Sequence, residues 1–158
     1  MHFDHIPPKI YLGSCPANAQ DIERLRQEAG VTGVVNVQTD SDLRYMYIDW
    51  DEMKQHYAAS GIEVRRVPAR DFDRDDLRRK LPDCADAVCE LVKAGHTVYV
   101  HCSAGINRSP STAIAYLHWY EGFPLDEAVE YVTTRRDCDP YVEAIQLATQ
   151  DRAGPLPD

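Results

Sequence analysis

A chain of 158 residues, 44% hydrophobic and 27% charged, is long enough to bury one globular core. Its formal charge of −9, from 26 acidic and 17 basic residues, argues against non-specific nucleic-acid binding and against docking on an anionic membrane. No apolar run approaches the roughly 20 residues a membrane span needs. Any anion this chain handles must therefore be captured by a local feature working against the overall field.

In chain order, Lys9–Leu12 reads as a short strand, followed by a turn at Gly13-Ser14-Cys15-Pro16. Asn18 is placed to cap a helix running to about Ala29, with Ile22, Leu25 and Ala29 on one face and Gly30 just past its end. Val31–Val37 is a β-branched run, the pattern of a buried strand. Thr39–Tyr47 is polar and aromatic and reads as a loop, and a weaker helix follows from Asp49 to Ala59. Glu63–Val67 is the next strand, stopped by Pro68. Asp75–Ala94 carries Leu77, Leu81, Ala85, Val88 and Val92 at helical spacing, with Asp75 or Asp76 as its cap and Pro82 expected to kink or split it. Thr97–Val100 is a second buried strand. Three helical stretches close the chain at Ser109–Glu121, Leu125–Arg135 and Tyr141–Arg152. The alternation predicts one α/β domain over 1–153, a mostly parallel sheet flanked by helices, with 154–158 as a flexible tail.

The five cysteines (Cys15, Cys84, Cys89, Cys102 and Cys138) form no CxxC pair and no zinc spacing. An odd, scattered set points to a reducing compartment. Met1–Leu12 lacks the basic start and apolar stretch of a secretory signal. These features predict a cytoplasmic monomer with no metal and no cofactor. A plastid-like compartment applies if a transit peptide was removed.

The chemistry is concentrated in Val98–Pro110, VYVHCSAGINRSP. A buried strand ends at His101, a cysteine follows, five residues turn, and an arginine opens a helix. Backbone N–H groups of such a loop converge on one point and bind an oxyanion, helped by the helix dipole. Gly105 lets the backbone approach closely, and Arg108 adds a planar fork for two phosphate oxygens. The same donors favour a thiolate at Cys102, a nucleophile in line with a held phosphorus. A cysteine at a strand end is ordinarily a small buried hydrophobe. Here the strand before it, the glycine within and the helix after it agree on the reactive reading. The expected phosphate cradle is Ser103, Ala104, Gly105, Ile106, Asn107 and Arg108. A departing alkoxide needs a proton from a separate loop, and the acidic segment after the Glu63–Val67 strand offers Asp71, Asp73, Asp75 and Asp76.

HCSAGINRSP resembles the HCxxGxxR[ST] loop of the protein tyrosine phosphatase superfamily, and Ala104-Gly105 is similar to its dual-specificity branch. The resemblance implies the phosphatase fold, a phosphocysteine intermediate at Cys102, and Ser109 hydrogen-bonding the sulfur as water cleaves that intermediate. It also implies that His101 orients the loop and that an acid lies about 30 residues before the cysteine. That spacing favours Asp71, with Asp73 as the alternative.

Gly13-Ser14-Cys15, Val37–Tyr45, Arg70–Arg78, Lys80-Leu81-Pro82 and Arg135–Pro140 look like the plant starch-excess and laforin-type glucan phosphatases. That resemblance implies a phosphorylated glucan substrate, with Tyr45, Phe72 and Trp119 as surfaces for sugar rings, although Trp119, at helical spacing from Ala115 and Tyr116, reads equally as core. Four positions depart from the pattern. Asn107 stands where glycine is usual; if the loop needs a positive φ there, asparagine is the best choice other than glycine, so the loop still closes. Ser109 replaces an alanine, Met46 an aromatic, and Asn36 a cysteine able to pair with the nucleophile. The alternatives are a phosphoprotein substrate, a phosphoinositide phosphatase, for which lysines within the loop are missing, and an inactive module that binds phosphate or glucan.

Overall fold

The computed structural model describes residues 1–154; the tail expected at 154–158 lies outside the described residues apart from Gly154. Five strands form one sheet in the order β1-β2-β5-β3-β4. They are β1 (Phe3–Ile6), β2 (Ile10–Gly13), β3 (Gly33–Asn36), β4 (Glu63–Arg66) and β5 (Val98–His101). All pairings are parallel except β1 with β2. The central strand, β5, is thus flanked by two parallel neighbours and all four of its residues are buried, which is why it reads as a continuous apolar run.

Helices cover both faces. On one side α1 (Ala19–Ala29) and α3 (Trp50–Ala59) enclose Ile22, Leu25, Met53 and Tyr57 against Val34 and Tyr99. On the other, α4 (Arg74–Lys93), α5 (Arg108–Tyr120), α6 (Leu125–Thr133) and α7 (Val142–Ala153) pack over Leu12, Val35, Val98 and Val100. Neighbouring strand residues, such as Val34 and Val35, feed opposite cores, as the two-residue period requires.

Three local expectations are corrected. The stretch expected as a loop contains a helix, α2 (Asp40–Tyr45), started by a capping box in which Thr39 and Asp42 bond each other's backbone N–H. The cap of α4 is Asp73, whose Oδ1 accepts from the Asp76 N–H at 2.9 Å; Asp75 and Asp76 lie in the first turn. Pro82 does not divide α4, which runs continuously for 20 residues. The missing N–H and the ring clash cost about 3 kcal/mol. Buried Leu77, Leu81, Cys84, Ala85, Val88 and Leu91 lie on either side of it, and each buried leucine contributes roughly 1.5–3 kcal/mol.

Candidate active site

The site grows from the end of β5. His101 pairs in register with Gly13 on one side and Asn36 on the other, so Cys102 leaves the sheet at its centre. Six residues on, α5 begins at Arg108. Gly105 makes the turn at φ +72°. A side chain there would overlap the Gly13 carbonyl and lie within 2.6 Å of Arg136 Nη2. The loop does not need a positive φ at Asn107, whose φ is −127°. Its Nδ2 turns outward and donates to the Asp139 carbonyl at 2.8 Å.

Every carbonyl from Cys102 to Asn107 accepts a hydrogen bond. Cys102 O is met by His101 Nδ1 at 2.9 Å, and Ser103 O by the Cys15 N–H at 2.9 Å. Ala104 O and Gly105 O are met by Arg136 at 3.2 and 2.7 Å. Ile106 O is met by the Asp139 N–H at 2.7 Å and Asn107 O by the Ser111 N–H at 3.0 Å. The backbone N–H groups of Ser103–Arg108, by contrast, find no acceptor among the described residues. Six unspent donors on one tight turn at a helix N-terminus are an arrangement able to hold an anion.

Arg108 is 1% exposed. Its Nη1 donates to Asp42 Oδ2 at 2.7 Å and to the Ala69 carbonyl at 2.9 Å. Its Nη2 lies 3.4 Å from both Ser103 Oγ and Asp71 Oδ2. Nε is buried and has no partner among the described residues. One edge of the guanidinium is thus anchored, while the Nε–Nη2 edge retains capacity for a bidentate oxyanion. Burial works against the Asp42 charge, but hydrogen bonds from Arg108 and Thr39 outweigh it and hold the carboxyl below its usual range.

Ser109 Oγ lies 3.2 Å from Cys102 Sγ, and both residues are buried. Burial pushes His101 down to about 4, despite its bond to the Cys102 carbonyl. It is therefore neutral at pH 7, with Nδ1 as the donor. Cys15 is buried as well. Burial pushes it up to about 12, so it remains a thiol, donating to Gln38 Oε1 at 3.2 Å. Gln38 Nε2 in turn donates to Ser103 Oγ at 3.1 Å.

Asp71 is brought to the Arg108 fork, whereas Asp73 is occupied as the α4 cap. Tyr45 and Phe72 are 86% and 87% exposed, Tyr45 at the end of α2 and Phe72 beside Asp71. Phe72 takes φ +58°, a conformation that is uncommon for a bulky residue. Tyr47, at φ +56°, is 97% exposed. Trp119 is not brought to the site. It lies eleven residues along α5 from Arg108, roughly 16 Å away. There it packs against the core, donates Nε1 to Thr149 Oγ1 at 2.9 Å and stacks under Arg152, tying α5 to α7. Three residues at the site carried no expectation: Asp42, Gln38 and Arg136. The capping-box spacing from Thr39 to Asp42 was a signal for the first; the others act across long sequence separations.

Residues 10–147 match the family model described as dual specificity phosphatase, catalytic domain. The chain is 36% identical over 151 residues to phosphoglucan phosphatase LSF1, chloroplastic, of Arabidopsis thaliana, covering 96% of this chain and 25% of that protein. It is 32% identical over 163 residues to laforin of Mus musculus, covering 96% of this chain and 49% of laforin. It thus spans a quarter to a half of the length of these curated relatives. The crystal structure of PTPMT1 superposes with a TM-score of 0.76 over 96% of this chain and 97% of that one, at 21% identity, a likeness of fold.

Proposed function

The chain belongs to the dual specificity phosphatase catalytic-domain family, a branch of the cysteine-dependent phosphatases, and from that premise we propose that it hydrolyses phosphate monoesters on a glucan through a phosphocysteine at Cys102. The observation that carries the chemistry is the turn of six unspent N–H groups between Cys102 and the Nε–Nη2 edge of Arg108, whose Nε has no partner among the described residues. These donors hold the phosphoryl oxygens and stabilise the charge of an in-line transition state. The Cys102 thiolate attacks phosphorus; the S–P bond forms as the ester P–O bond breaks, and Asp71 gives its proton to the departing sugar oxygen. Water then attacks the phosphocysteine, Asp71 takes the water's proton, and inorganic phosphate leaves. Ser109 donates to the sulfur as it regains its charge, at the 3.2 Å separation present here.

The glucan assignment is supported by Tyr45 and Phe72, exposed beside the site, and by the names of the LSF1 and laforin relatives. Sugar rings present C–H faces that pack on aromatic planes without charge. Such binding is indifferent to a net charge of −9. The chloroplastic name of LSF1 supports the plastid-like compartment over the cytoplasmic one. Phosphate release from solubilised phosphorylated amylopectin, set beside release from a phosphotyrosine peptide, tests the substrate. Efficient release from amylopectin is expected. None from amylopectin, with rapid peptide turnover, replaces the glucan by a phosphoprotein.

A further inference from the structure

We infer that the segment Arg136–Asp139, together with Asp4 of β1, is the positioning element of the phosphate loop, and that Arg136 acts on substrate only through that loop. The inference rests on the reading of the loop as the phosphate site. Residues 134–141 form the connection between α6 and α7 and take no part in the chemistry described above. Yet this short segment meets four consecutive loop residues. Arg136 Nη2 donates to Ala104 O at 3.2 Å and Arg136 Nε to Gly105 O at 2.7 Å. The Asp139 N–H donates to Ile106 O at 2.7 Å, and Asp139 O accepts from Asn107 Nδ2 at 2.8 Å.

These contacts fall on the outer side of the turn. A peptide unit is rigid and planar, so fixing its carbonyl direction also fixes the opposite N–H. Holding the Ala104, Gly105 and Ile106 carbonyls outward therefore aims the N–H groups of Gly105, Ile106 and Asn107 inward. A buried guanidinium is costly without pairing, and each of the three guanidinium nitrogens of Arg136, 4% exposed, has a partner. Its Nη1 donates to Asp4 Oδ2 at 2.9 Å, while its Nη2 lies 3.4 Å from His2 Nδ1. The N-terminal strand thus holds the arginine that holds the loop. The absence of a side chain at Gly105, which Arg136 Nη2 would otherwise meet at 2.6 Å, permits this approach. Lysine at position 136 keeps the charge but not the fork that reaches two carbonyls and a carboxylate at once.

The test is equilibrium binding of inorganic phosphate to the full chain in a Cys102→Ser background, by calorimetry at a temperature well below melting, with circular dichroism as the control on folding. Arg136→Lys should weaken phosphate binding on the order of 10- to 100-fold, the scale of a small misplacement of oriented groups. Asp4→Asn, a milder change on a partly exposed partner, should weaken it several-fold; it remains decisive if Arg136→Lys does not fold. In the Cys102 enzyme the same substitutions should lower kcat/KM for an aryl phosphate in proportion. A merely structural role lowers the melting temperature and leaves phosphate affinity alone. Affinity within twofold of the parent in folded Asp4→Asn and Arg136→Lys overturns the inference. A parent that binds no phosphate overturns the reading of the loop itself, and the positioning role with it.

Discussion

Two buried arginines, 28 residues apart in sequence, meet the same loop from opposite sides. Arg136 spends all three of its guanidinium nitrogens on the protein, on Gly105, Ala104 and Asp4. Arg108 spends Nη1 on Asp42 and Ala69, holds Nη2 at 3.4 Å from two side chains, and leaves Nε without a partner among the described residues. The loop between them divides in a similar way: its carbonyls from Cys102 to Asn107 accept hydrogen bonds, two of them from Arg136, and the N–H groups of Ser103–Arg108 find no acceptor among the described residues. Burial alone does not distinguish the two arginines. Unspent hydrogen-bonding capacity does, because an unpaired buried donor costs about 1–3 kcal/mol and persists only where something else satisfies it.

The comparison is broken most severely on the Arg108 side. Cys102→Ser should abolish turnover of an aryl phosphate by about 10^3-fold or more while the folded chain still binds phosphate, since an alcohol is a poor nucleophile at neutral pH. Arg108→Lys should approach that loss, and this time phosphate binding should fall with it, because a point charge does not replace the two-oxygen fork. Steady-state kinetics beside phosphate calorimetry separates the two effects. Asp71→Asn should cost on the order of 100-fold on an alkyl phosphate and far less on an activated aryl phosphate, whose leaving group needs no proton. If Asp73→Asn shows that pattern instead, the acid is misassigned and the α4 cap has a second role.

Smaller effects concern how the loop is seated. His101 is held near 4 in the fold against about 6.5 in an unfolded chain. Between those values the unfolded chain takes up a proton that the fold refuses, so stability falls as pH drops from about 6.5 to 4. The loss reaches about 3 kcal/mol. Asp42 adds to this below the ordinary carboxylate range. Its depressed value contributes stability above about 4, lost as pH falls through the folded value. Denaturant melts at pH 7 and 4.5 should show the difference, and His101→Gln should flatten it. At the rim, Tyr45→Ala and Phe72→Ala should lower phosphate release from amylopectin several-fold and leave aryl-phosphate turnover nearly unchanged.

Much of the site was legible because its decisive part is local. Strand, cysteine, glycine turn, arginine and helix follow one another within Val98–Pro110, and the structure lays them out in that order. The strands β2 to β5 were likewise readable as short runs bounded by turn residues. What escaped was either too short or too distant. β1 is a four-residue edge strand, FDHI, with half its residues polar. α2 is six residues without an apolar stripe, held by a capping box and by Leu43 alone in the core. Asp42 and Arg108 are 66 positions apart, and Arg136 and Asp4 are 132 apart. No spacing rule along the chain connects them. The loop's positive φ lies at Gly105, and Trp119 shows how an aromatic at helical spacing defaults to packing.

The most direct measurement is acid-quenched peptide mass spectrometry of the enzyme during turnover of an aryl phosphate, alone and with Ser109→Ala. The account predicts one phosphoryl group on the peptide containing Cys102. It should be more abundant in Ser109→Ala, because the hydroxyl 3.2 Å from the sulfur is no longer there to assist its departure. Undiminished phosphate release by a Cys102→Ser protein, with no phosphoryl group on that peptide in the parent, would contradict it.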